Sequence, residues 1–127
     1  MSRRPVLALA LALVVALTLP AMARSGDGDD VRVTGSCSGR SDATLRLRSD
    51  DGAIRVELRI DTGRRGALWR VIVLHERRIA FRAPLRTSRS SGSLRLRRNV
   101  SDWFGSDTIA VRATGPRGET CRASATI

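Results

Sequence analysis

Between Ala53 and Asp61 the chain alternates without a fault: Ile54, Val56, Leu58 and Ile60 fall on one side, and Arg55, Glu57, Arg59 and Asp61 on the other. A helix would scatter those four aliphatic side chains around its circumference. A strand sends successive side chains to opposite faces, so a strand with one buried face accounts for the pattern. The same period recurs. Leu45 and Leu47 oppose Thr44, Arg46 and Arg48; Leu94 and Leu96 oppose Arg95 and Arg97; Ile109, Val111 and Ala113 oppose Ala110, Arg112 and Thr114.

Turn chemistry separates these runs at Ser49-Asp50-Asp51-Gly52, Thr62-Gly63-Arg64-Arg65-Gly66, Ser88 to Gly92 and Gly115-Pro116-Arg117-Gly118. Strands are therefore expected near residues 31–37, 43–48, 53–61, 67–75, 78–83, 93–98, 107–114 and 120–126. Short strands at this spacing predict an all-β fold, an antiparallel β-sandwich of seven or eight strands. The apolar stretch from Ala67 to Ala83 is divided at His75-Glu76-Arg77-Arg78, although no Gly or Asn marks a turn there. Within it Trp69, Val71 and Val73 share one face, with Ile72 and Leu74 on the other beside Arg70, so this strand is expected inside a sheet and covered on both sides.

The first 23 residues have a different logic. Arg3 and Arg4 precede an apolar run from Val6 to Leu19, and small residues follow at Ala21-Met22-Ala23. That order is the pattern of an export signal cleaved before Arg24, and the run is too short for the roughly 20 residues that span a bilayer as a helix. A secreted chain is expected, released outside the cell or into the cell envelope, with no membrane span in the mature part. Residues 24–30 are small and polar and should form a loose N-terminus, leaving 31–127 as one sandwich domain.

Cys37 and Cys121 are the only cysteines, one in the first expected strand and one in the last. Each has core-facing parity: Cys37 that of Val31 and Val33, Cys121 that of Ala123, Ala125 and Ile127. Two inward thiols in an oxidising compartment predict a disulfide between them.

With about eight short strands, Trp69 on a central strand and the Asp-rich corner Ser101-Asp102-Trp103-Phe104-Gly105-Ser106-Asp107-Thr108, the mature chain resembles an immunoglobulin-like β-sandwich. Here, however, the cysteines lie in the first and last expected strands, and there is no Tyr to make a tyrosine corner. The plan of Val31-Arg-Val-Thr-Gly-Ser-Cys37 early, Leu68-Trp69-Arg70-Val71 central and Gly118-Glu-Thr-Cys121 late is similar to small secreted actinobacterial proteins of unassigned function. That resemblance implies a fold and a compartment and transfers no site.

Charge is the remaining signal. Of the 23 basic residues, all of them arginine, Arg3 and Arg4 leave with the signal, so 21 face 12 acidic ones. Such a field attracts anionic polymers. On the strand parities above, Arg46, Arg48, Arg55, Arg59, Arg95 and Arg97 project outward and would form a polyanion-binding stripe if their strands share a sheet.

Catalytic and metal chemistry finds little support. His75, the only histidine, stands at an expected turn beside Glu76 and is expected to be exposed. A nucleophilic triad would need it in a pocket with a Ser or Cys and an acid. One histidine and two bonded cysteines leave too few zinc ligands, and no spacing selects a carboxylate pair from Glu57, Asp61, Asp102, Asp107 and Glu119. Asp27, Asp29 and Asp30 lack the ordered loop and closing Glu of a calcium-binding EF-hand. Trp103 and Phe104, the rings open to a carbohydrate, are expected to plug the end of the core. The sequence thus points to a secreted, non-catalytic binding or adhesion-type module that needs no cofactor and meets an unknown macromolecule outside the cell. An Arg-rich binder of teichoic acid, nucleic acid or anionic lipid is the alternative.

Overall fold

A computed structural model describes residues 29–127; the expected export signal lies outside them. The strands are β1 (Asp30–Thr34), β2 (Ser36–Cys37), β3 (Asp42–Asp50), β4 (Ala53–Asp61), β5 (Leu68–His75), β6 (Arg78–Arg86), β7 (Ser93–Ser101), β8 (Thr108–Thr114) and β9 (Thr120–Thr126). They form a four-stranded sheet in the order β1-β3-β4-β7 and a five-stranded sheet in the order β2-β9-β8-β5-β6, with every pairing antiparallel. The expected all-β sandwich is therefore present, closed by a disulfide between Cys37 and Cys121.

Alternation decides what lies between the sheets. Leu45, Leu47, Ile54, Val56, Ile60 and Leu94 from one sheet meet Trp69, Val71, Val73, Ile109, Val111 and Ala113 from the other, all essentially without solvent contact. Each such residue contributes about 1.5 to 3 kcal/mol of burial, which a core poor in aromatic rings must gather from many aliphatic side chains. Trp69 is the one large ring at the centre, and it takes its space from Gly115. A Cβ on Gly115 would lie 2.5 Å from the indole ring, so only glycine fits there.

The first expected strand is divided in two. Residues 31–37 keep one parity throughout, yet the chain leaves the four-stranded sheet after Thr34 and joins the five-stranded sheet at Ser36. Gly35 makes the crossing. A Cβ there would stand 2.6 Å from the Arg122 carbonyl oxygen and 3.1 Å from the Ala43 Cβ, while its own N–H donates to the Ala43 carbonyl at 2.8 Å.

Two hairpins use two-residue turns with both central residues at positive φ, the geometry that matches strand twist. Asp51 and Gly52 (φ 45° and 78°) join β3 to β4, as turn chemistry predicts. Glu76 and Arg77 (φ 48° and 65°) join β5 to β6 without a glycine. Tertiary bonds hold this less favourable turn: the Glu76 N–H donates to the Thr108 carbonyl at 3.0 Å, and the Thr108 N–H to Glu76 Oε1 at 2.6 Å.

The five-stranded sheet follows the strand order of the corresponding immunoglobulin sheet, with Trp69 on the strand where that fold keeps its core tryptophan. The four-stranded sheet is wired differently, because β3 turns straight back into β4 before the chain crosses to β5. Two edge strands carry features that interrupt pairing: Pro84 on β6, and on β7 Arg98, which has inward parity but stays exposed with its guanidinium 5.4 Å from the Phe81 ring centre.

Replacing Gly115 by Ala should cost about 1 to 3 kcal/mol through overpacking against Trp69. Urea unfolding monitored by tryptophan fluorescence measures it, and an unchanged midpoint would contradict the packing described.

Candidate functional site

The expected arginine stripe does share a sheet. On the outer face of the four-stranded sheet, Arg46 stands between Arg32 and Glu57 with Arg97 beyond, Arg48 faces Arg55, and Arg59 faces Arg95. Arg32, Arg46, Arg59, Arg95 and Arg97 border a groove of about 520 Å³ with Glu57 and Asp61, and Arg48 and Arg55 lie outside it. Carboxylates are interleaved among them. Asp30 pairs with Arg46 at 2.6 Å and Arg48 at 3.9 Å, Asp50 with Arg55 at 3.4 Å, Asp61 with Arg59 at 3.1 Å, and Glu57 with Arg97 at 3.4 Å. Of the six arginines nominated from sequence, only Arg95 has no such partner among the described residues. The Arg46 hydrogen bond holds the Asp30 carboxyl below its ordinary pKa, and Ser93 followed by Arg59 does the same for Asp61. Much of the positive field of this face is cancelled at its source.

The opposite face behaves differently. The strand containing Trp69 was expected to be covered on both sides, but no second layer lies over the outer side of the five-stranded sheet among the described residues. Ile72 and Leu74 are half-buried there, while Leu68 and Ile79 are 41% and 50% exposed. Across this sheet one row runs Arg82, Ile72, Arg112, Arg122, with Arg70 in the next row beside Pro84 and Thr114. Neighbouring strands are about 4.8 Å apart, so the row of arginines spans about 14 Å. Arg112 and Arg122 stand directly opposite each other, an arrangement that costs stability when no counter-charge intervenes. Among the described residues no Asp or Glu occupies an outward position on these strands, and none of these arginines is in an ion pair.

At the far end of the sandwich, His75 overturns its expected exposure. It is the last residue of β5 with inward parity, 3% exposed, and its Nε2–H donates to Asp107 Oδ1 at 2.6 Å. Trp103 stacks on the imidazole with ring centres 3.8 Å apart, and its backbone N–H donates to Asp107 Oδ1 at 3.3 Å. Trp103 thus lids this buried pair. Phe104 plugs nothing, because its side chain stands entirely in solvent. Together with the Trp103 amide, the pair fastens the 102–107 loop to the end of β5.

Burial alone would raise the Asp107 pKa. The hydrogen bond from His75, the neighbouring Asp102 carboxyl and the hydrogen bond from the Trp103 amide outweigh it and hold the carboxyl below its ordinary value, while the proximity of Asp107 raises Asp102. The expected acidic cluster at the N-terminus resolves in part: Asp27 lies outside the described residues, and Asp30 is committed to Arg46 and Arg48.

No protein-family model, no curated protein and no solved structure matches the chain. Its chemistry has to be read from its own surfaces. Sequence reading missed the Arg70, Arg82, Arg112 and Arg122 face because strand parity gives the side of each residue but not which strands lie together. The usable signal was the absence of acidic residues at outward positions of 68–86 and 108–126 except at turns.

A group with a lowered native pKa stabilises the fold fully above its unfolded pKa, near 4 for Asp, and loses that contribution as pH falls through the native value. Asp107→Asn should therefore flatten the loss of stability below about pH 4 and cost on the order of 2 kcal/mol at neutral pH. Denaturant midpoints measured across pH 2 to 7 check both effects.

Proposed function

We propose that this domain is a non-catalytic extracellular binding module that holds anionic polymers on the outer face of its five-stranded sheet. The observation that carries the reading is the row of Arg82, Arg112 and Arg122, with Arg70 beside it, which among the described residues has no carboxylate on the same sheet face. Guanidinium groups pair with phosphate in a bidentate manner. Ile72 and Leu74 give them an apolar floor on which charge pairs are less screened than in open water. A phosphate chain laid along the row would relieve the Arg112–Arg122 repulsion that the fold otherwise bears.

Location follows from two supports. Residues 1–23 have the order of an export signal, and the Cys37–Cys121 disulfide suits an oxidising compartment. Teichoic acid, nucleic acid and anionic lipid share the phosphate chemistry that such a row reads. The arginines of the four-stranded sheet form the weaker candidate surface, since Asp30, Asp50, Glu57 and Asp61 already occupy their neighbours.

If Arg70, Arg82, Arg112 and Arg122 each neutralise one phosphate, affinity for a single-stranded oligonucleotide falls with salt at a log–log slope of about −3. The double variant Arg112→Ala/Arg122→Ala should halve that slope, whereas Arg59→Ala/Arg95→Ala should leave it unchanged. Fluorescence anisotropy over a salt series, repeated with polyphosphate and anionic vesicles, reads it. A salt-insensitive affinity, or a loss that follows the Arg59/Arg95 pair, counts against this face.

A further inference from the structure

At the end of the sandwich opposite His75, three loops converge on a second basic site that is separate from the sheet face. They are the β2–β3 loop (38–41), the β4–β5 loop (62–67) and the β8–β9 loop (115–119). They enclose a depression of about 580 Å³ into which each loop contributes one arginine, Arg40, Arg64 and Arg117. None of the three is in an ion pair among the described residues. Ser41 lines the same depression. It is 7% exposed, and its Oγ makes no hydrogen bond. That hydroxyl is closed off from solvent, so the groups left to meet a ligand in the depression are the three guanidinium groups.

We propose that this depression is a binding site for a compact tetrahedral oxyanion, phosphate or sulfate, as a free ion or as the terminal group of a larger molecule. Arg40, Arg64 and Arg117 supply both the charge and the donors. Glu119 shows where an anion fits. Its carboxylate folds over Gly39, where a Cβ would lie 2.6 Å from Oε1, and it accepts the Ser41 N–H at 3.2 Å. One carboxylate against three guanidinium groups still leaves the site positive.

The scaffold beneath is fixed in advance, so little ordering is needed on binding. Cys37 and Cys121 stand directly below the 38–41 and 115–119 loops and are bonded to each other. The Thr120 N–H donates to Ser38 Oγ at 3.0 Å, and the Ser38 N–H to the Thr120 carbonyl at 2.9 Å. The Arg64 backbone is held from both sides, its N–H donating to Thr62 Oγ1 at 3.0 Å and its carbonyl accepting from the hydroxyls of Thr62 and Thr87.

The test is a titration of the full chain with inorganic phosphate and with sodium sulfate, followed by amide chemical shifts. Saturable shifts at Gly39, Ser41, Gly63 and Gly118 are expected with both anions. Arg64→Ala and Arg117→Ala should each weaken binding about tenfold, in line with the loss of a charge-assisted hydrogen bond. Both side chains are exposed on loops, so both variants should leave the unfolding midpoint unchanged, which separates lost binding from lost folding. Glu119→Gln keeps an acceptor for the Ser41 amide, removes the competing charge and should tighten binding. Arg112→Ala/Arg122→Ala, on the other surface, should leave the titration unchanged whether or not that surface binds polymers. Absence of saturable shifts at these amides would overturn the site. So would shifts that survive both Arg64→Ala and Arg117→Ala, or acetate binding as tightly as phosphate and sulfate.

Discussion

The meeting of the first and last strands is the constraint on which the rest of the molecule depends. β2 is only two residues long, and its ladder with β9 pairs Ser36 with Arg122 and Cys37 with Cys121. So short a ladder is a weak tether. The disulfide across it, between residues 84 apart in sequence, makes it permanent and removes up to about 4 to 5 kcal/mol of chain entropy from the unfolded state. It also lets one piece of chain serve both sheets, since β1 and β2 are continuous through Gly35. The two layers are thereby stitched by backbone at one edge as well as by the aliphatic core between them.

Charge distribution sets the two faces apart more than charge number does. Both sheets carry arginines on their outer sides, and both place arginines directly opposite one another across neighbouring strands. On the four-stranded sheet Asp30, Asp50, Glu57 and Asp61 turn those pairs into an ion-pair lattice of the kind that surfaces commonly use. On the five-stranded sheet the like charges have no counter-charge among the described residues and stand beside half-buried Ile72 and Leu74. A surface both repulsive to itself and partly apolar is unfavourable for a molecule that meets only water.

The sequence was most legible where side chains alternate without interruption. Ile54 to Ile60 and Ile109 to Ala113 read directly as strands with the correct buried face, and inward parity brought Cys37 and Cys121 together. Legibility failed where tertiary contact, with no change in local pattern, decides the outcome. Residues 31–37 keep their parity across Gly35, so the change of sheet leaves no trace in hydropathy. His75 looked like a turn residue because Glu76 and Arg77 form the turn without glycine; its burial depends on Asp107, 32 residues away, and on the stacking of Trp103. The uncompensated arginine face depends on which strands become neighbours, and single-strand periodicity carries no information about that.

The edges of the two sheets have a consequence of their own. β1 is five residues long, β2 is two, β6 is interrupted by Pro84 and by a bulge near Leu74, and β7 turns Arg98 toward Phe81. Three of the four margins are thus short or broken as templates, and the longer β7 carries on its inner side a charge that another sheet would have to bury. Copies of the molecule brought close together would meet rims that resist being extended into a common sheet.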